Sequence, residues 1–191
     1  MPYLLDVCKA SVDLAVSKNG DIPMKLRIIL QSDGSLSATA SPAPPLLNND
    51  LLIASPDAVR TIYIDPKSTS PSLFTSTKTT QRSLYNDARA RVGLSPLPTP
   101  QNAHNDVLLH TPTGLALETS IRNIAFRRGD VWVTPAAHSG CLPGVMRRLM
   151  LERGLFVEGD VRMDDVTPGE TVLTVNGVEG CRMGKMALLP E

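Results

Sequence analysis

The sequence predicts a mixed α/β (α+β) fold rather than an all-β sandwich, and three observations carry that prediction. The 191 residues include 16 prolines and only 4% aromatics, a loop-rich composition. The first forty residues read as one helix and one hairpin. Beyond His104 the pattern turns to short strands and tight turns, broken by a single helix. The length suits one good-sized domain or two small ones.

Leu4, Leu5, Cys8, Val12 and Val16 recur at helical spacing, and Gly20 supplies the stop. "MKLRIIL", the turn "SDG" and "SLSATA" form a predicted hairpin. "SPAPPLLNND" is a loop, "VRTIYI" a strand and "DPKSTSPS" another loop. "RSLYNDARARVG" is helical, with Leu84, Ala88 and Val92 on one face and Gly93 as its C-cap. "PLPTPQNAH" is a rigid connector. The strands "DVLLHT", "GLALET", "NIAFRR" and "DVWVT" follow. "CLPGVMRRLMLERG" is a helix with Pro143 near its first turn and Gly154 at its end. "FVEGDVRM", "ETVLTVNG" and "CRMGKMALL" close the chain as strands and turns. No internal repeat is visible. This order divides the chain into a smaller lobe, 1–75, and a larger one, 76–191.

The formal net charge is zero, so nucleic acid and anionic membrane are not expected partners. No apolar stretch is long enough to span a bilayer. "MPYLLDVCKA" contains Asp6 and Lys9 and lacks the basic start of a signal peptide. Cys8, Cys141 and Cys181 are odd in number and far apart, which predicts reduced thiols in a cytoplasmic protein. His104, His110 and His138 show no metal-ligand spacing, so no metal is expected. Arg147 and Arg148 read as solvated charges, and Trp132 as packing. Walker, GxSxG, HExxH and GxGxxG motifs are all missing from the sequence.

Four stretches offer chemistry. Lys78 lies in a polar loop before a helix, where a lysine is ordinarily solvated; its functional reading is a Schiff-base lysine. Glu118 ends an apolar strand, where a carboxylate is costly unless paired. It is either a strand-end surface residue or the partner of a cationic ring nitrogen, with Asn123 orienting the loop. Gly140 and Gly144 flank a helix start whose free N–H groups, those of Val145 and Met146 among them, make a seat for phosphate. Asn176-Gly177 with Gly180 forms a tight turn: a plain hairpin turn, or one whose amides meet an anion.

In this order and spacing the four stretches resemble the class-IV aminotransferase family, the fold-type IV pyridoxal-phosphate enzymes. "KTTQRSLYNDARAR" resembles the lysine segment of fungal 4-amino-4-deoxychorismate lyase-like members. "ETSIRNIAF", "VWVTPAAHSGCLPGVMRRLMLERG" and "TVLTVNGVEGCRMGKM" are similar to the family's later motifs. The resemblance implies a β-barrel-like sheet with flanking helices as the large lobe, preceded by a partial small α/β lobe. It implies pyridoxal 5′-phosphate as cofactor and a small amine or amino acid as substrate. A cytoplasmic homodimer is implied as well. Lys78 becomes the covalent anchor and proton carrier, and Glu118 the partner of the ring nitrogen. Gly144, Val145 and Met146 seat the phosphate from one side, Asn176 and Gly177 from the other. Arg82 and Tyr85 lie near the cofactor. The implied reaction is release of pyruvate with formation of 4-aminobenzoate. A class-IV aminotransferase acting on branched-chain or D-amino acids, and a truncated non-catalytic homologue, are the alternatives. Two positions depart from the family pattern: Gly177 replaces a common hydroxyl residue, and Arg122 replaces a common threonine before Asn123, adding a cation beside the site. The chain also resembles a form shortened at its N-terminus, without the upstream arginine that the family directs at the phosphate.

Overall fold

Leu4, Val7, Cys8, Ser11, Val12 and Ala15 follow the three-and-four spacing of a helix, and all are at least partly shielded in helix α1 (Pro2–Asn19). Leu5, expected on that face, points outward at 67% exposure, and Ala15 is the residue fully covered. Gly20 ends α1 with φ 81°, a conformation in which a Cβ is strained. The hairpin forms as predicted, with β1 (Met24–Leu30) antiparallel to β2 (Leu36–Pro42). α1 packs mainly along β2. The computed structural model describes residues 2–43, 55–99 and 101–189, so most of the predicted loop 41–50 lies outside the described residues.

The chain separates into two units, Met1–Pro45 and Leu46–Glu191. The sequence placed the boundary thirty residues later, at 75/76, and assigned "VRTIYI" to the first lobe. That strand is β3 (Ser55–Ile64), and it belongs to the second unit. It lies parallel to both β4 (Asn105–His110) and β10 (Gly180–Ala187). A strand's own sequence names neither neighbour, which is why the boundary was misplaced.

The second unit is built on one eight-stranded sheet, completed by β5 (Ala116–Thr119), β6 (Asn123–Arg128), β7 (Val131–Pro135), β8 (Val157–Gly159) and β9 (Thr171–Asn176). The strand order is β5-β4-β3-β10-β9-β6-β7-β8. β5 and β8 are the edges, yet they are joined. The chain leaving β8 reaches β5, with Ala116 N–H donating to Val161 O and Met163 N–H to Gly114 O, each at 2.8 Å. The sheet therefore curls into the barrel-like form that the sequence reading expected.

Alternation along the strands sorts the core. Leu108, Ile124, Phe126 and Val172 point into the curl with Ile62 and Met186. Val107, Leu109 and Leu117 face helix α3 (Ser83–Arg91), meeting Tyr85, Ala88 and Val92. Ala125, Leu173 and Val175 face helix α4 (Val145–Glu152), meeting Met146 and Met150. A short helix, α2 (Leu73–Ser76), precedes α3. The two helices cover the outside of the sheet, and the bends between β5 and β6 and between β9 and β10 open beside their starts.

Candidate active site

Glu118 is the third residue of β5, and its carboxylate, at 4% exposure, meets the Tyr85 hydroxyl from helix α3. Both oxygens have protein donors. Tyr85 Oη donates to Oε1 at 2.7 Å, and Asn123 Nδ2 to Oε2 at 3.2 Å. Burial pushes the carboxyl up to about 7, against the Tyr85 hydrogen bond, the Leu142 amide and the charges of Lys78 and Arg82. Burial and the adjacent Glu118 charge also raise the Tyr85 phenol, so it stays a donor.

Asn123 opens β6 and does a second task. Its Nδ2 also donates to Leu142 O at 2.7 Å, tying the carboxylate to the segment that leads into α4. Gly144 is the N-cap of that helix and carries no side-chain cap. The first helical bond is Arg148 N–H to Gly144 O at 2.9 Å. Among the described residues, the N–H groups of Val145, Met146 and Arg147 therefore have no protein acceptor. Gly140, at φ 91°, packs so close to Pro71 that a Cβ would lie 2.5 Å from it.

Lys78 is exposed and stands between α2 and α3. α2 is fixed by a capping box: Ser72 Oγ accepts from Phe74 N–H at 3.2 Å, and Thr75 Oγ1 from Ser72 N–H at 3.0 Å. Arg82 precedes α3, donates to Ser120 O at 2.8 Å and stacks 5.0 Å above the Tyr85 ring.

Lys78, Arg82, Tyr85, Glu118, Asn123, Gly144, Val145, Met146, Asn176 and Gly177 all line one cavity of about 390 Å³. The sequence separates these ten residues by up to a hundred positions, and the fold brings every one to the same space. Three details differ from expectation. The Asn176 carboxamide is spent in its own turn: Oδ1 accepts from Val178 and Glu179 N–H at 3.0 and 2.8 Å, and Nδ2 donates to Glu179 at 3.1 Å. That leaves the Gly177 N–H as the turn's free amide among the described residues. Arg122 is not a loose cation in the cavity, because it is paired with Asp106 at 3.0 Å and with Glu179. Arg147, read as solvated, is buried beneath α4 and bonded to Pro135 O and Glu158, whereas Arg148 is exposed as expected. Asp106, Arg89, Arg60 and Glu179 support the site and carried no sequence signal. Among the described residues, no cluster of His, Cys, Asp and Glu is arranged to hold a metal, and no helix is long and apolar enough to cross a membrane.

A curled sheet with a buried carboxylate, an uncapped helix start and a lysine around one cavity defines a fold-type IV architecture. The chain belongs to the family described as amino-transferase class IV, whose model matches residues 1–185. It is 34% identical over 187 residues to an aminodeoxychorismate lyase of Saccharomyces cerevisiae, covering 88% of this chain and 49% of that protein. It is 32% identical over 136 residues to a candidate aminodeoxychorismate lyase of Schizosaccharomyces pombe, covering 69% and 57%. The crystal structure of a candidate amino-acid aminotransferase from Mesorhizobium loti superposes with a TM-score of 0.76 at 25% identity, over 95% of this chain and 81% of that one. The chain thus spans about half the length of the curated relatives it matches.

Proposed function

We propose that this chain carries the cofactor-binding lobe of a pyridoxal-phosphate-dependent lyase that releases pyruvate and forms 4-aminobenzoate. The observation that carries the proposal is one cavity holding Lys78, a doubly hydrogen-bonded buried Glu118 and an uncapped helix start. The lyase relatives supply the direction of the chemistry.

The donor set fits the cofactor. The free amides of Val145, Met146 and Gly177 suit a phosphate dianion. A buried carboxylate suits a protonated ring nitrogen. A primary amine at the cavity mouth suits an aldehyde, and about 390 Å³ lies within the usual range for ligand sites. The cofactor, when bound, supplies an acceptor for the electrons released at the substrate carbon. Lys78 is the residue on this chain that would hold it covalently, and the same amine would take the proton from the substrate C–H beside the amine. Departure of pyruvate then leaves an aromatic product. Glu118 would keep the ring nitrogen protonated, with Tyr85 and Asn123 holding the two carboxylate oxygens in place. Three unpaired cysteines, two of them buried, support a cytoplasmic location, and the family supports a homodimer, which sedimentation would check.

The test is direct. The purified chain is mixed with pyridoxal phosphate, the bond is fixed with borohydride and the modified lysine is mapped. Label on Lys78, and its loss in Lys78→Ala, is the expected result; label spread over Lys25, Lys67 and Lys185 refutes the role. The similarity to the Mesorhizobium loti aminotransferase favours a second reading, amino transfer to a 2-oxo acid. Measuring pyruvate release against amino transfer separates the two.

A further inference from the structure

Five ionic side chains that the proposed chemistry does not use form one buried chain beside the cavity. Asp106 accepts from Arg122 at 3.0 Å and from Arg89 at 3.4 Å. Arg122 continues to Glu179, its Nε donating to Oε2 at 3.1 Å, and Arg60 donates to the other Glu179 oxygen at 2.7 Å. The side chains of Asp106 and Arg89 are fully buried, those of Arg60 and Arg122 almost so, and Glu179 keeps 18% exposure. Burial pushes Glu179 up, but Arg122 and Arg60 outweigh it and hold the carboxyl below its ordinary value. Three guanidiniums against two carboxylates leave the cluster with an excess of positive charge.

Burying ions is expensive, and apolar packing of equal volume is often as stable. What the ions add here is a fixed connection between two cavity walls. Glu179 lies in the 176–180 turn, and Asn176 Nδ2 donates to it at 3.1 Å. Arg122 ends the bend after Glu118, and Asp106 shapes that bend by accepting from Thr119 Oγ1 at 2.9 Å and Ser120 N–H at 3.2 Å. The strands that carry the bend and the turn already pair at Asn123 and Val175, and the Arg122–Glu179 pair adds a side-chain link between the turn and the bend.

We propose that Arg122 and Glu179 are positioning residues whose buried ion pair places the Gly177 amide for a phosphate ester in the cavity. The proposal rests on the cofactor reading above and deepens it. The chain's departure at Arg122 then matters: this residue acts on the phosphate side through Glu179, not on the substrate.

The test compares two ligands that differ only in the phosphate. The apo chain is titrated with pyridoxal 5′-phosphate and with pyridoxal, and both dissociation constants are read from absorbance. Their ratio reports the phosphate seat, and pyridoxal alone reports the lysine end. Arg122→Met and Glu179→Gln are each expected to shrink the ratio by about tenfold while leaving the pyridoxal constant within about twofold, the scale of one charge-assisted hydrogen bond. Arg122→Lys, which keeps the charge but not the fork, should restore part of the ratio. Circular dichroism checks folding; if Arg122→Met does not fold, the isosteric Glu179→Gln decides. An unchanged ratio overturns the proposal. Equal loss of both ligands also overturns it, since that is the signature of a general structural role. Failure of the parent chain to bind either ligand refutes the cofactor reading itself, and the proposal with it.

Discussion

Glu118 is a carboxylate with 4% exposure whose two donors, Tyr85 and Asn123, do not fully offset its burial. Its carboxyl is pushed up to about 7 from an ordinary 4.5, so the folded chain binds its proton more tightly than the unfolded chain does. The sign follows from linkage. Between these two values the native state carries more protons, so stability falls as pH rises through the window and levels off above about 7. Glu118→Gln removes the titration. Its stability relative to the parent should therefore rise with pH across that window, by at most about 3 kcal/mol, on top of a constant offset from the changed hydrogen bonds. Denaturant unfolding of both proteins at several pH values checks this. A difference that is flat with pH would mean that Glu118 titrates normally. The residue types of the site were legible in the sequence, because a lysine, a glutamate and glycine-flanked turns in that order suggest one chemistry. Their supports were not. Arg147 read as a solvated charge, Arg122 as an added cation beside the site, and Arg89 carried no signal, because a buried guanidinium announces itself only through its partners. Asp106, Glu179 and Glu158 stand at other points of the chain and meet them only after folding.

At the scale of elements, α4 shows why one glycine is required at a helix start. Gly144 has φ −64° and ψ 150°, which any residue adopts, so backbone strain is not the reason. Space is: a Cβ at position 144 would lie 2.1 Å from Asn123 Oδ1. Asn123 sits at the end of a flexible side chain but has nowhere easy to go, since it is buried and bonded to both Leu142 O and Glu118. Gly144→Ala should cost about 1–3 kcal/mol, the price of disturbing buried hydrogen bonds. In an Asn123→Ala background the same change should cost far less, because the clash is gone. Thermal melts of the four proteins close this cycle; equal costs in both backgrounds would place the penalty elsewhere. The sequence marked Gly144 for the freedom of its backbone amides. It could not show that β6 supplies the atom that excludes a side chain, because strand and helix are joined only through the fold. The alternation of "VRTIYI" in β3 and the α3 face of Leu84, Ala88 and Val92 were legible for the opposite reason: each is a periodicity contained within its own segment.

The two units differ in how much core each encloses. All three hydrophobic clusters of the described residues lie in Leu46–Glu191, built on an eight-stranded sheet whose edges are joined. In Met1–Pro45 the one fully covered hydrophobic residue among those described is Ala15, and β1 leaves Leu26, Ile28 and Leu30 exposed along one face. A two-stranded hairpin with a single helix is marginal on its own, whereas a sheet of this size with covered faces unfolds as a unit. Local stability should follow that division. In hydrogen exchange of the whole chain, the amides of β4, β6 and β9 should open only with global unfolding. Those of β1 and β2 should exchange by local opening, independent of the denaturant midpoint of the larger unit. A chain begun at residue 46 should keep a cooperative transition. Within it, Phe126→Ala, which empties the centre of the curl, should cost about 3–5 kcal/mol. If β1 and β2 instead showed the same protection as β6, the hairpin would belong to the same cooperative unit, and the division at Pro45 would be one of geometry without energetic consequence.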